Sequence, residues 1–161
     1  MDPDGPNLEE QDVLVRRLRP DDLDAVIALD AKVIGRRREE YFKLKLKQAL
    51  SDTGIEVSLG AELEEIFVGF LLARVYYGEF GAVEHVAVLD TMAVHADFQG
   101  RGVGTALVDQ LRTNLLGLGI PTLHTEVSWT NPRLLTFFNR EGFAPAPRFC
   151  LDLDLQATRK A

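Results

Sequence analysis

Three glycines within five residues, Gly100, Gly102 and Gly104, stand between an apolar stretch and the start of a helical pattern. Glycine lets backbone N–H groups converge on a ligand, and the N-terminus of a helix is the positive end of its dipole. This combination predicts an anion site, for which a diphosphate group is the natural occupant. A tight strand-to-helix turn without a ligand is the alternative for the same glycines.

The residues around these glycines exclude two common nucleotide loops. A nucleoside triphosphate loop needs a lysine after its last glycine, whereas Gly104 is followed directly by Thr105. A dinucleotide fingerprint needs a third glycine at a spacing that neither Gly100 nor Gly102 provides. The loop therefore predicts a diphosphate ligand of another kind.

A lone acid, Asp90, stands in the apolar stretch 86–94. Because an acid is rarely buried without a partner or a role, Asp90 is a candidate functional residue, and pairing with a neighbouring basic group is the alternative. His124 and Glu126 fall on one face of a strand by the period of two, so a catalytic role, a substrate-binding role and a plain surface pair all stay open. The sequence has three histidines and one cysteine without a cluster of ligand spacing, so we expect no metal.

Hydrophobic periodicity places these residues on an α/β framework. Strands are predicted at 13–18, 55–60, 66–75, 86–94, 122–127 and 151–155, and helices at 23–31, 41–50, 103–115 and from 131 on. The strand, helix and strand from 86 to 127 form a right-handed crossover unit with parallel strands. We expect an α/β (α+β) fold with a mixed central sheet of about six to seven strands, flanked by about four helices.

Length and composition favour a single domain that folds alone. The chain has 161 residues and a net charge of −7, which disfavours nucleic-acid binding. Residues 1–12 are acidic and rich in proline and glycine, so a flexible tail is predicted there, with the domain at 13–157. No signal or transit peptide and no 18-residue apolar run is recognisable, and a single cysteine fits a reducing compartment. These features predict a cytoplasmic protein without a membrane partner.

The run from Leu89 to Leu107 resembles the acyl-CoA-binding core of the GNAT superfamily of N-acetyltransferases, whose loop reads Arg/Gln-x-x-Gly-x-Gly/Ala. Gln99, Gly102 and Gly104 fill that pattern. Downstream, Asn131, an apolar helix and the pair Gly142-Phe143 resemble the second cofactor-side motif of the family. The resemblance implies one GNAT-like acyltransferase domain over 13–157, with acetyl-CoA as acyl donor.

The resemblance also implies a V-shaped opening between the strands at 86–94 and 122–127, which receives the pantetheine arm. A strand bulge near Ala93 would leave main-chain groups of Met92 and Val94 free, and the Met92 N–H would polarise the thioester carbonyl beside the base Asp90. The implied cofactor-binding residues are Met92, Ala93, Val94, Gln99, Gly100, Arg101, Gly102, Val103, Gly104, Thr105, Asn131, Leu135 and Phe138.

One position departs from the family pattern, because Phe138 stands where many similar enzymes carry a tyrosine that protonates the CoA thiolate. Water, Tyr76 or Tyr77, or no acid at all would then act in its place. The same change keeps open a second function, a non-catalytic acyl-CoA-binding sensor or partner domain.

The resemblance implies an amine acceptor, which is a small molecule, an amino acid or a peptide, and a homodimer, since family members often pair. Basic residues at 36–47 favour a carboxylate-bearing acceptor, with a solvated helix face as the alternative.

Overall fold

The computed structural model describes residues 12–51, 56–77, 79–81 and 83–157. These residues form two compact units, one ending at Glu126 and the other beginning at Val127. The tail predicted at 1–12 lies outside the described residues except for Asp12, which is exposed.

The first unit holds the sheet and three of the helices. In chain order its elements are β1 (Leu14–Arg17), α1 (Leu23–Ile34), α2 (Glu39–Ser51), β2 (Leu59–Leu63), β3 (Ile66–Tyr77), β4 (His85–Val94), α3 (Val103–Gly117) and β5 (Leu123–Thr125). The second unit holds α4 (Pro132–Arg140).

The strands are ordered β1-β2-β3-β4-β5 across one sheet. The first three pairings are antiparallel, and β5 lies parallel to β4 after the α3 crossover. The predicted mixed α/β fold with four helices is therefore confirmed. The sheet has five strands in the described residues rather than six to seven.

The two faces of the sheet are covered by different helices. On one face Val26 and Ile27 of α1 and Phe42 of α2 join Phe70 and Leu72 of β3 in a buried cluster. On the other face α3 packs so closely that a Cβ added to Gly69 would lie 2.9 Å from Val103 Cγ1. The apolar residues at helical spacing in the helix predicted at 103–115 are buried, namely Val103, Leu107, Leu111 and Leu115. Helix α3 is thus fixed against the sheet directly after the glycine loop.

The start of α1 differs from a simple N-cap. Asp22 precedes the helix, but its carboxylate accepts hydrogen bonds from the Arg19 N–H at 2.7 Å and from Arg16 Nη1 and Nη2, each at 2.8 Å. These bonds tie β1 to the start of α1. The helix ends at Gly35, which has φ +86°, a left-handed conformation that glycine adopts without steric cost.

The hairpin of β2 and β3 is tighter than the sequence predicts. The predicted strands 55–60 and 66–75 imply a connection over 61–65, whereas Leu63 pairs directly with Ile66 and only Glu64 and Glu65 form the turn. Both glutamates have positive φ, 52° and 66°, as a type I′ turn requires. The twist of such a turn matches that of the strands, which compensates for the absence of glycine.

The second unit confirms the predicted helix start and lacks the predicted last strand. The Asn131 side chain accepts a hydrogen bond from the Leu134 N–H at 3.2 Å, and Pro132 is the first residue of α4. Residues 151–155 alternate leucine with acid but pair with no strand in the described chain, and Leu151 and Leu153 are exposed. Alternation is an insufficient signal here, because a strand also needs a neighbour for its hydrogen bonds.

Candidate functional site

The glycine loop joins the end of β4 to α3 with two left-handed residues. Gly100 and Gly102 both have φ +79°, and a Cβ added at either one would meet no other atom within 4 Å. Only glycine takes this conformation readily, and the space beside the backbone is open to a ligand. Gly102 is the residue directly before α3, so this open backbone lies at the positive end of the helix.

The predicted diphosphate residues lie in one uninterrupted segment of this loop and the first turn of α3. Gln99 and Arg101 are exposed, and the Arg101 guanidinium lies over the Phe98 ring, 5.4 Å from its centre. Val103 and Gly104 are buried on the inner side of the helix, while Thr105 is exposed. The segment therefore has one face anchored in the core and one face turned to solvent.

Strand β4 extends beyond its parallel neighbour. Pairing with β5 covers Ala87, Val88 and Leu89 only, whereas β4 continues to Val94 in register with β3. From Asp90 to Val94 one edge of β4 therefore has no paired strand in the described chain. Met92 and Val94 are half-buried and Ala93 is buried in the cluster under α1 and α2.

The bulge in β4 is at Asp90 and not near Ala93, so that prediction was wrong. Leu72 pairs with Thr91 and the next residue, Ala73, pairs with Leu89, which leaves Asp90 as the extra residue. A bulge redirects a side chain out of the regular alternation of a strand. The misplacement arose because the position was carried over from the family pattern, and no residue near Ala93 signals it.

Asp90 is held by two cations. Arg74 Nε lies 3.2 Å from Asp90 Oδ2, and Lys45 Nζ lies 3.9 Å from Oδ1. The pairing that the sequence left open as an alternative is therefore present. It keeps a negative charge in place at the bulge, where the carboxylate side chain is 17% exposed. The base role of Asp90 stays a prediction.

Asp90 also lines a cavity of about 420 Å³ on the sheet. The other lining residues are Arg74, Tyr76, Phe80, Val88, Leu89, His124 and Glu126. His124 and Glu126 share this cavity, as their predicted common face requires. Charged groups, a histidine and aromatic rings thus meet at the point where the pairing of β4 with β5 ends.

Arg74 is the residue of this cavity that sequence reasoning missed. It is the single charge within the strand Ile66–Tyr77, and its register partner in β4 is Val88, two residues before Asp90. A lone arginine in an apolar strand, beside a lone aspartate in the next one, is a signal that could have found the pair.

The connection between α1 and α2 is fixed by a second arginine. Arg38 donates from Nε and Nη2 to Asp30 Oδ2 and Oδ1 at 2.9 and 2.7 Å, and its guanidinium lies 4.7 Å from the centre of the Tyr41 ring. The hydrogen bond to Asp30 raises the pKa of Arg38, and burial raises the pKa of the Tyr41 phenol. Tyr41 therefore stays neutral at the start of α2.

Much of the basic cluster at 36–47 is neutralised within the protein. Arg37 pairs with Glu39 at 2.8 Å and Lys43 with Glu40 at 3.5 Å, in addition to the pairs of Arg38 and Lys45. This weakens the argument for a free basic face that would attract an acidic acceptor.

The remaining predicted cofactor residues belong to the second unit. Asn131 caps α4, Leu135 is 58% exposed and Phe138 is buried. The Phe138 ring lies 4.9 Å from that of Phe143, between ring centres. The Asn131 side chain therefore has a structural role at the start of α4, and its contact with a cofactor stays a prediction.

Two features are absent from the described residues. No group of three or more His, Cys, Asp or Glu side chains there is arranged to hold a metal ion. None of the helices there combines the length and the apolarity that crossing a membrane requires.

Comparison with known proteins identifies the fold. The solved aminoglycoside N-acetyltransferase AAC(6')-Iy in complex with CoA superposes with a TM-score of 0.75 at 16% identity, covering 96% of this chain and 99% of that one. The ribosomal-protein-alanine N-acetyltransferase from Brucella melitensis biovar Abortus 2308 gives 0.71 at 19% identity, covering 89% and 99%. At these identities the likeness concerns the fold alone.

Sequence comparison carries the assignment further. The acetyltransferase ECA0875 of Pectobacterium atrosepticum is 27% identical over 126 residues, which is 78% of this chain and 84% of that protein. The model of the acetyltransferase (GNAT) family matches residues 22–143, which include strands β2 to β5, the glycine loop and α4. The chain therefore belongs to the GNAT acetyltransferase family, as the loop motif predicted.

Proposed function

We propose that this protein is an N-acyltransferase that moves an acetyl group from acetyl-CoA to a primary amine by direct attack in a ternary complex. The observation that carries the proposal is the loop at Gly100 and Gly102. Its left-handed backbone is open to a ligand, precedes a helix N-terminus and follows the unpaired edge of β4. A protein with the same fold, AAC(6')-Iy, has been solved with CoA, which supports the choice of donor.

The residues fit a diphosphate at this place. A side chain at Gly100 or Gly102 would occupy the space that the ligand needs, and the first-turn N–H groups of α3 point out of the helix end. We assign the diphosphate to the backbone of 99–105, and the pantetheine arm to the edge of β4 at Met92, Ala93 and Val94. Asn131, Leu135 and Phe138 are assigned to the cofactor by the family resemblance alone.

The reaction needs a neutral amine and a polarised carbonyl. When bound, acetyl-CoA supplies an activated acyl group whose carbon–sulfur bond breaks as the nitrogen–carbon bond forms. Asp90 accepts the proton that the amine loses, and the Met92 N–H donates to the carbonyl oxygen. The two cations beside Asp90 hold its carboxylate in place at the cavity, where it can meet the amine.

The thiolate that leaves must gain one proton to become free CoA. Phe138 has no hydroxyl, so the usual tyrosine cannot supply it. Tyr76 lines the cavity and is the hydroxyl that we assign to this step, with water as the alternative. Overall, the amine exchanges one hydrogen for an acetyl group and CoA gains that hydrogen.

The missing hydroxyl at Phe138 also favours a second candidate, an acyl-CoA-binding sensor or partner domain without transfer. CoA release distinguishes the two functions. Release above the hydrolysis rate with some amine supports the enzyme, whereas tight binding of CoA without release over a broad amine panel supports the sensor. The cytoplasmic location and the homodimer remain predictions from the sequence.

The experiment that tests the donor site is calorimetric titration of the protein with CoA and acetyl-CoA. We expect Gly102→Val to weaken CoA binding at least about tenfold, because the added side chain fills the space of the diphosphate. Gly119→Val is the matched control, since Gly119 has φ +73° and an equally open surrounding beyond the other end of α3. Equal CoA affinity in both variants would overturn the assignment of the loop.

A further inference from the structure

The charges of the cavity at Asp90 are incompletely matched within the protein. Asp90 is compensated by Arg74 Nε and Lys45 Nζ. Glu126 also lines the cavity, is exposed, and has no ion pair or hydrogen bond in the described part of the chain. The cavity therefore offers one carboxylate that is available to a positively charged group.

Arg74, which lines the same cavity, has hydrogen-bond donors that the protein does not use among its described residues. Its Nε faces Asp90 and its guanidinium lies 5.9 Å from the centre of the Tyr76 ring, and its Nη1 and Nη2 have no hydrogen-bond partner among the described residues. The side chain is 51% exposed. A guanidinium that is half exposed and has both Nη groups unoccupied presents a planar pair of N–H donors. This geometry matches a carboxylate.

The balance of charge selects the class of ligand. The two cations Arg74 and Lys45 and the two anions Asp90 and Glu126 together carry no net charge, although only Asp90 is paired with the cations. A simple cationic amine would satisfy Glu126 and leave the Arg74 donors unfilled, while a purely acidic ligand would meet repulsion from Glu126. A zwitterion carries one positive and one negative group and has no net charge, so it satisfies Glu126 and Arg74 together.

We propose that the acceptor is an α-amino acid or a similar small molecule that carries both a primary amine and a carboxylate. This inference rests on the acyltransferase function proposed above. Arg74 binds the carboxylate through its Nη groups, and the amine lies beside Asp90 and Glu126. Phe80, Val88 and Leu89 provide an apolar lining for the side chain of the acceptor, which favours an apolar or aromatic amino acid.

The test compares phenylalanine with 2-phenylethylamine, which has the same ring and amine but no carboxylate. Thiol release with acetyl-CoA gives kcat/KM for each amine. The quantity compared between variants is the kcat/KM of phenylalanine divided by that of 2-phenylethylamine. Because the chemistry of each amine is the same for every variant, a change in this ratio isolates the contribution of the protein. We expect Arg74→Gln to lower the ratio about 10- to 100-fold relative to the wild type.

Arg112→Gln is the matched control. Arg112 lies on α3, outside the cavity lining, and its side chain is also 51% exposed. This variant should keep the ratio of the wild type. Arg74→Lys keeps the charge but loses the planar fork, so an intermediate ratio is expected. An unchanged ratio in Arg74→Gln, with both amines slowed equally, would mean that Arg74 acts only through Asp90 and would overturn the proposal.

A binding measurement separates this inference from the acyltransferase proposal. Calorimetry of phenylalanine and of 2-phenylethylamine is performed without CoA on the wild type and on Arg74→Gln. Binding that depends on the carboxylate and is lost in Arg74→Gln supports the site even if no acetyl group is transferred. Transfer to amines without a carboxylate preference, or phenylalanine binding that Arg74→Gln leaves intact, contradicts the site while leaving the acyltransferase function standing.

Discussion

Asp30 and Asp90 each pair with an arginine, but the two pairs are built differently. Arg38 meets Asp30 with two short hydrogen bonds, and Asp30 is only 2% exposed. Arg74 approaches Asp90 through Nε at 3.2 Å, beside a cavity and with half of its side chain exposed. The first pair uses two nitrogens of its arginine within the protein, whereas the second leaves the Arg74 Nη groups without a hydrogen-bond partner among the described residues.

Their places in the fold explain this difference. Asp30 faces inward from α1 and meets the segment before α2, so its pair joins two helices. Asp90 is the extra residue of a bulge, at the point where β4 loses its partner β5. We therefore expect the Arg38–Asp30 pair to contribute to stability and the Arg74–Asp90 pair to contribute to activity. Variants of Asp90 and Asp30 test that distinction.

Asp90→Asn has the largest expected effect, on turnover. Loss of a general base lowers kcat about 10²- to 10⁴-fold, while the affinity for CoA stays near that of the wild type because the glycine loop is untouched. Lys45 and Arg74 are partly exposed at 25% and 51%, so losing their counter-charge should cost little stability. Thiol release and calorimetry measure the two quantities separately.

The kinetics of Asp90→Asn also distinguish a general base from a residue that only positions Arg74. If Asp90 only orients Arg74, KM for a carboxylate-bearing amine rises and kcat remains unchanged at neutral and alkaline pH. That result would assign Asp90 to acceptor binding and remove its role as the base.

Asp30→Asn should instead reduce stability. Asp30 is buried and Arg38 keeps 24% of its side chain exposed, so losing the two hydrogen bonds between them should cost about 3 kcal/mol, the upper end of the range for hydrogen bonds to charged groups. Urea unfolding monitored by circular dichroism measures the free energy of unfolding. Asp24→Asn is the control, because Asp24 is an exposed acid on the same helix. A loss of stability no larger than that of the control would show that the Arg38–Asp30 pair does not hold α1 and α2 together.

The framework of this fold could be read from the sequence because periodic burial dictates it. The stripe Val103, Leu107, Leu111 and Leu115 and the cap at Asn131 depend on local spacing, and both are present. The strand predicted at 151–155 failed because its alternation is local, while a ladder needs a partner from elsewhere in the chain. The bulge at Asp90 likewise depends on register between two strands, which no single segment records.

The candidate site likewise has a part that local sequence predicts and a part that depends on contacts between distant segments. Gly100 and Gly102 were predictable, since positive φ before a helix demands glycine. The pairing of Asp90 with Arg74 and Lys45 was open in the sequence, because these residues come from β4, β3 and α2. A motif within one loop can therefore be predicted from the sequence, whereas ion pairs between residues of different strands and helices are identified only once the fold is known.

Asp22→Asn should have the smallest effect and a characteristic pH dependence. Asp22 accepts two hydrogen bonds from Arg16, but Arg16 Nε also lies 3.5 Å from Glu62, which keeps a second partner for the cation. We therefore expect a loss of about 1.5 to 3 kcal/mol near pH 7, the range for hydrogen bonds to charged groups. Asp21→Asn, at the exposed neighbour, is the control.

The sign of the pH dependence follows from the carboxylate. The hydrogen bond from Arg16 lowers the pKa of Asp22 below its ordinary value. A carboxylate of this kind contributes its full stability above the ordinary pKa of about 3.9, and this contribution is lost as the pH falls through the lower folded value. The unfolding free energies of the wild type and Asp22→Asn should therefore converge in acid. A difference that stays constant from neutral pH into acid would mean that the pair acts through its shape and not through its charge.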